Sequence, residues 1–151
     1  MERSLVLIKP DAVQRGLIGC ILMRLEQRGL KFVAMKMIQI DRKLAEKHYD
    51  VHRDKPFFEG LISFITSSPV IAIVIEGNNV VKMIRRMMGD TNPLNSAPGT
   101  IRGDFAILTG QDPTHNLIHG SDSPENAVKE IKLFFDDDEL CSYRRDLIGW
   151  F

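Results

Sequence analysis

Two hydrophobic rhythms alternate along this chain. Short unbroken apolar runs predict buried strands, and apolar positions recurring every three or four residues predict helices with one face on a core. Arg3 to Lys9 is short, mostly apolar and stopped by Pro10, which predicts a buried strand. Leu17 to Arg28 repeats Ile18, Ile21, Leu22 and Leu25 at helical spacing, and Gly29 supplies the stop. Lys31 to Ile40 predicts a second strand, with Phe32, Ala34, Ile38 and Ile40 on one face and Lys36 as the exception. Asp41 can cap a short helix reaching Asp50. Pro56 suits the first turn of another, from Phe57 to Thr66. Pro69 to Glu76 is a third strand, and its wholly apolar Val70 to Ile75 segment predicts a central position in the sheet.

The second half carries fewer clear elements. Val80 to Met88 predicts a helix closed by Gly89. Residues 90–104 predict a long polar loop, and Phe105 to Leu108 and Leu117 to His119 are short strand pieces. Ser123-Pro124-Glu125 opens a last helix with a cap, a proline at the first position and an acid in the first turn, running to Phe135. Asp136 to Glu139 predicts a solvated turn. The tail ends in Leu147, Ile148, Trp150 and Phe151, apolar enough to dock on its own subunit or a neighbour. Setting aside the helices inserted after the second strand, the order is βαββαβ. That is the α+β, ferredoxin-like pattern: a four-stranded antiparallel sheet with helices packed on its surface, expected on one face. Such a fold hosts many functions, so function must come from a site.

Composition narrows the classes. A chain of 151 residues suits a single domain spanning 1–151. Twenty basic and twenty acidic residues cancel, which argues against a bulk electrostatic grip on nucleic acid but leaves room for a local basic pocket. The run Leu5 to Ile8 is too short for a signal-peptide core, and no stretch is long enough for a membrane span. Cys20 and Cys141 have no metal or redox spacing and read as reduced thiols of a cytoplasmic protein.

Neither glycine-rich phosphate cradle, G-x-x-x-x-G-K-[ST] or G-x-G-x-x-G, occurs in the sequence. Loop 90–104 is longer than compact domains usually tolerate without a purpose. It carries Thr91, Asn92, Asn95 and Arg102, and Arg85 precedes it on a helix. Two arginines and a threonine converging would hold a polyphosphate and stabilise a phosphoryl group in flight. Surface arginines on a solvated loop are the other reading. His119, in Asn116-Leu117-Ile118-His119-Gly120-Ser121-Asp122-Ser123, is delivered by an apolar pair to the core's edge, with Gly120 allowing a tight turn. A neutral imidazole is a competent nucleophile near pH 7. A structural histidine satisfied by hydrogen bonds is the alternative. His48 and His52 stand four apart, matching a metal pair, but no third ligand accompanies them, and they read as surface or packing residues. His115 reads as exposed. Tyr49, Phe57 and Leu61 could border a nucleobase, although the residues alone favour core packing.

Read together, these segments resemble the nucleoside diphosphate kinases over essentially the whole length. The resemblance rests on Leu7-Ile8-Lys9-Pro10-Asp11, Arg53-Asp54-Lys55-Pro56-Phe57-Phe58, Gly89-Asp90-Thr91-Asn92-Pro93, Pro98-Gly99-Thr100-Ile101-Arg102-Gly103-Asp104-Phe105 and the His119 segment, all in order. It implies a ferredoxin-like fold and a ping-pong exchange, in which a nucleoside triphosphate gives its γ-phosphoryl group to His119 and a nucleoside diphosphate takes it. By matching position, Ser121 and Glu130 would keep the catalytic site in order. Lys9, Tyr49, Arg85, Thr91, Arg102 and Asn116 would contact phosphates or sugar, and Phe57 and Leu61 would border the base. Mg2+ would bridge the nucleotide's phosphates and take few protein ligands. Nucleoside di- and triphosphates would be the partners, with no membrane or nucleic acid. The family's hexamers, tetramers and dimers make a homo-oligomer the expectation, and the apolar-ended tail favours a hexamer.

One departure stands out. The family's Gly, one residue, then Asn becomes Gly110, then Gln111-Asp112-Pro113-Thr114-His115, then Asn116, with Thr109 where an aliphatic side chain is common. Each doubling of loop length costs only about 0.6 kcal/mol, so the catalytic core is expected to survive.

Overall fold

The protein is described here from a computed structural model covering residues 1–107 and 114–146. Four strands form one antiparallel sheet: β1 (Glu2–Ile8), β2 (Lys31–Ile38), β3 (Val70–Gly77) and β4 (Ile118–Gly120), in the order β2-β3-β1-β4. The apolar runs of β1 and β3 lie in the middle, as their unbroken hydrophobicity predicts. The order is that of the ferredoxin-like fold.

Helices cover both faces. On one face, α2 (Ile18–Gln27), α5 (Val80–Met88) and the short α1 (Pro10–Gln14) and α6 (Ile101–Phe105) pack on Val6, Ile8, Ile71, Ile73 and Ile75. On the other, α3 (Arg42–His48), α4 (Phe58–Ile65) and α7 (Pro124–Phe134) pack on Leu5, Leu7, Ala72 and Val74. The inserted helices and α7 therefore close the face that the simple repeat leaves open. Fully burying each such aliphatic side chain contributes roughly 1.5–3 kcal/mol.

Two caps act as their residues predict. The Asp41 side chain accepts from Leu44 N, and the Ser123 side chain accepts from Asn126 N ahead of Pro124. Other expectations need correcting. The face of β2 is not continuous, because the register slips between Phe32 and Ala34 and leaves Val33 and Ala34 both buried. Phe32 thus joins the core of α2 and α5, whereas Ala34 joins the opposite one. Lys36 is accommodated by Glu139 at 2.6 Å and the Phe135 ring at 4.6 Å. Residues 90–104 are not all loop: Thr100 caps α6 by accepting from Gly103 N. Phe105 closes that helix, Ala106 and Ile107 are not strand, and Leu108 lies outside the described residues. Asp136 to Glu139 is a turn largely in solvent, as expected, with a capping box on its short 3₁₀ piece. The tail runs along the outer edge of β2, where Cys141 N donates to Val33 O and Tyr143 Oη to Phe32 O. Its apolar end, Leu147 to Phe151, is outside the described residues, as are Thr109 and 111–113 of the inserted segment.

Candidate active site

Strand β4 is only three residues long, but its pairing decides where the chemistry sits. Leu7 stands opposite His119, so the imidazole lies on the face covered by α3, α4 and α7. Ser121 fastens the strand's end. Its N–H donates to Leu5 O at 3.1 Å, and its Oγ accepts from Leu5 N at 3.0 Å. Gly120 is required by contact rather than by turning. A Cβ there would lie 2.8 Å from Met88 Sδ and 2.9 Å from Ile84 Cγ2 on α5.

The ring of His119 is held at one end. Its Nε2 makes a short hydrogen bond to Glu130 Oε2 on α7. An ionised carboxylate can only accept, so in a neutral imidazole this contact selects the tautomer with the proton on Nε2 and the lone pair on Nδ1. His48 packs against the same ring, with centroids 4.7 Å apart at 81°, and its Nδ1 lies 3.9 Å from Glu130 Oε2. Both nitrogens of His48 are buried without a hydrogen-bond partner. Burial first, then the charges of His119, Lys9 and His52, hold its pKa well below the ordinary imidazole range, so it is neutral at pH 7. His48 does not pair with His52, whose ring instead lies 5.5 Å from Phe57. The His48 ring packs among those of Tyr49, His119 and Phe134, with Glu130 beyond hydrogen-bond reach.

Cations and hydrogen-bond donors stand beside the imidazole. Lys9 follows the last residue of β1, and its Nζ donates to Asn116 Oδ1 at 2.7 Å and Thr114 O at 3.3 Å. Asn116 Nδ2 donates in turn to Thr91 O at 2.8 Å. Arg102 is buried on α6. Its Nη1 donates to Gly89 O and Asp90 O, its Nε to Asn116 O and its Nη2 to Ile118 O. These four bonds leave one Nη2 hydrogen of the guanidinium's five. Burial and then the nearby Arg85 cation lower the Arg102 pKa to about 10, which still leaves it charged at pH 7. Arg85 itself is exposed, in the last turn of α5.

A cavity of about 810 Å³ joins these groups. Every expected site residue except Ser121 lines it: His119, Glu130, Lys9, Tyr49, Phe57, Leu61, Arg85, Thr91, Arg102 and Asn116. Its volume suits one small-molecule ligand. Phe57, 47% exposed at the start of α4, forms an open aromatic wall, while Leu61 is buried behind it. Burial, and then Glu130, push the Tyr49 hydroxyl up, so it stays protonated. Sequence reasoning missed His48 as a neighbour of His119. It also placed His115 in solvent, whereas its ring packs on Phe64 at 4.1 Å and is half-buried. Asp11 was read only as part of a motif, yet its Oδ2 accepts from Leu117 N.

An imidazole with one nitrogen held and the other carrying a lone pair, in a cavity of cations, is equipped to accept and pass on a phosphoryl group. The fold and this site define a phosphotransferase that works through histidine. A family model described as nucleoside diphosphate kinase matches residues 2–140. A nucleoside diphosphate kinase of Roseiflexus castenholzii is 57% identical, with 99% of this chain and 98% of that one aligned. A halophilic nucleoside diphosphate kinase from Halobacterium salinarum, solved in complex with CDP, superposes with a TM-score of 0.91 at 54% identity, covering 99% of this chain and 97% of its own. A transition-state mimic of the Borrelia burgdorferi enzyme, with bound vanadate and ADP, superposes at 0.91 with 39% identity over 97% and 94%. The chain belongs to the nucleoside diphosphate kinase family.

Proposed function

We propose that this chain moves the γ-phosphoryl group of a nucleoside triphosphate to a nucleoside diphosphate through Nδ1 of His119. The observation that carries this reading is the Glu130 contact at Nε2, which leaves Nδ1 as the free nucleophile. The Nδ1 lone pair forms the N–P bond while the bond from γ-phosphorus to the bridging oxygen breaks, and the diphosphate leaves with that electron pair. Glu130 offsets the positive charge that develops on the ring. Lys9, Arg85 and the remaining N–H of Arg102 offset the negative charge on the phosphoryl oxygens, with Thr91, Tyr49 and Asn116 as further phosphate or sugar contacts. Ser121 acts from behind, by fixing β4. The second half-reaction reverses these steps with a different diphosphate.

Phe57 and Leu61 border the base. Stacking on an aromatic face tolerates every base, so broad specificity follows. Only two of the cavity's described lining residues, Asp122 and Glu130, are carboxylates, and Glu130 is engaged by His119. That fits Mg2+ carried on the nucleotide's phosphates, where it shields their charge. Nucleotide partners are supported by the CDP and ADP of the related structures. No helix of the described residues is long and apolar enough to cross a membrane. A single domain over 1–151, working in the cytoplasm without nucleic acid, is the reading we adopt. We also take the assembly to be a hexamer of identical chains, so light scattering should give six times the chain mass, and a dimer or tetramer mass would refute this.

Turnover is tested by mixing the purified protein with ATP, GDP and Mg2+ and following GTP. The expected result is GTP formation with parallel double-reciprocal lines, the pattern of a covalent intermediate. Intersecting lines would mean direct transfer between bound nucleotides and would overturn the histidine route.

A further inference from the structure

Leu117 has a φ of +70°, a conformation that residues with side chains rarely adopt. It is fully buried, and Ile118 N donates to Asn116 O at 2.8 Å across it. This is a γ-turn of the strained hand. Leucine has no polar side-chain atom to ease the strain, so the surroundings must impose it.

Three residues from elsewhere in the chain do so. Lys9 N donates to Leu117 O at 2.9 Å. Arg102 holds the carbonyls on either side, Asn116 O through Nε and Ile118 O through Nη2. The remaining group is the N–H of Leu117, and Asp11 Oδ2 accepts it at 3.1 Å from the first turn of α1. Lys9 and Arg102 already have work at the phosphates. Asp11 does not line the cavity, and its other carboxylate oxygen is buried without a hydrogen-bond partner.

We infer that Asp11 is a positioning residue for phosphoryl transfer: by accepting the Leu117 N–H it locks the strained turn that sets His119 against Lys9 and Arg102. The turn ends where β4 begins, and His119 is the next residue but one after Leu117. If the turn relaxes, the imidazole and the carbonyls that orient Arg102 move together. A displacement of about 1 Å between nucleophile and phosphorus can cost roughly 10²-fold in rate. This inference rests on His119 being the phosphorylated residue.

Two variants, one isosteric and one longer, separate the hydrogen bond from the charge. Asp11→Asn keeps an oxygen at the same distance and loses the charge. Asp11→Glu keeps the charge and moves the oxygen by one methylene. The measurements are single-turnover phosphorylation of His119 by ATP and, separately, ADP affinity. Asp11→Asn should stay within about threefold of wild type, and Asp11→Glu should phosphorylate roughly 10²-fold more slowly, both with ADP affinity retained. Placing Asp11→Glu in a Leu117→Gly background should shrink its penalty relative to Leu117→Gly alone, because glycine adopts positive φ without strain. Equal rates for the two variants, a loss confined to Asp11→Asn, or an undiminished penalty in the glycine background would overturn the inference. Absence of label on wild-type His119 would instead defeat the reading on which it rests.

Discussion

At the residue scale, the site couples one held histidine to one unheld histidine. His119 has a hydrogen bond that selects its tautomer, whereas His48 has both nitrogens buried and unpartnered. Burial lowers the pKa of His48 in the folded protein, so below about pH 6.5 the unfolded chain binds a proton that the folded chain refuses. Stability must therefore fall as pH falls from about 6.5 toward the folded pKa, by up to about 1.4 kcal/mol per pH unit for this one group. Replacing His48 by Phe loses no hydrogen bond, since none is made. Urea denaturation at pH 7 and pH 5 should show a smaller acid loss in His48→Phe than in wild type; equal losses would mean that His48 titrates normally. The contact with His119 was not legible from sequence, where His48 and His52, lacking a third ligand, read only as surface or packing residues; His48 does pack, against rings that lie far away in the chain. The contact that matters joins residues 48 and 119, and no local pattern encodes it. The candidate set itself was legible only as a whole. Each arginine or histidine alone had an ordinary structural reading, and the ordered motifs tied them to one site.

At the element scale, the strongly periodic helices and the unbroken strands stood out in the sequence. Val80 to Met88 agrees with α5 at both ends, and the caps at Asp41 and Ser123 act as their chemistry requires. The missed pieces are short. Helix α1 has only five residues and opens with Pro10, which reads equally well as a strand stop or as the first turn of a helix. Helix α6 carries Gly103, a poor helix former, and the backbone of Ala97 lies so close that a Cβ at 103 would meet Ala97 O at 2.0 Å. The bulge at Phe32 to Ala34 inverts the face of part of β2 and leaves no mark on composition. Gly120 shows how such details reach function, because it lets α5 close on β4 directly beside His119. Gly120→Ala should destabilise the protein by about 1–3 kcal/mol through overpacking against Met88 and Ile84. Pairing it with Met88→Ala, which opens space there, should recover part of that loss in thermal melts; purely additive losses would show that the contact is not the cause.

At the scale of the whole molecule, two faces of one sheet divide the labour. The face under α2 and α5 is packed with aliphatic side chains, while the face under α3, α4 and α7 shares its core with the wall of the cavity. Strand β1 lies in the middle and is followed directly by Lys9, so a fully buried stretch of strand anchors the cation that donates to Asn116. The βαββαβ order was readable because it follows from hydrophobic runs, but the covering of the second face needed the spatial placement of the inserted helices. The proposed reaction requires a phosphoryl group to rest on one particular nitrogen. The direct test is to phosphorylate the protein with γ-labelled ATP, digest it and identify the modified atom by phosphorus NMR or chromatography against the two phosphohistidine isomers. The proposed route gives acid-labile label on Nδ1 of His119 and none in a folded His119→Ala variant. Label on Nε2, or label persisting in that variant, would contradict it.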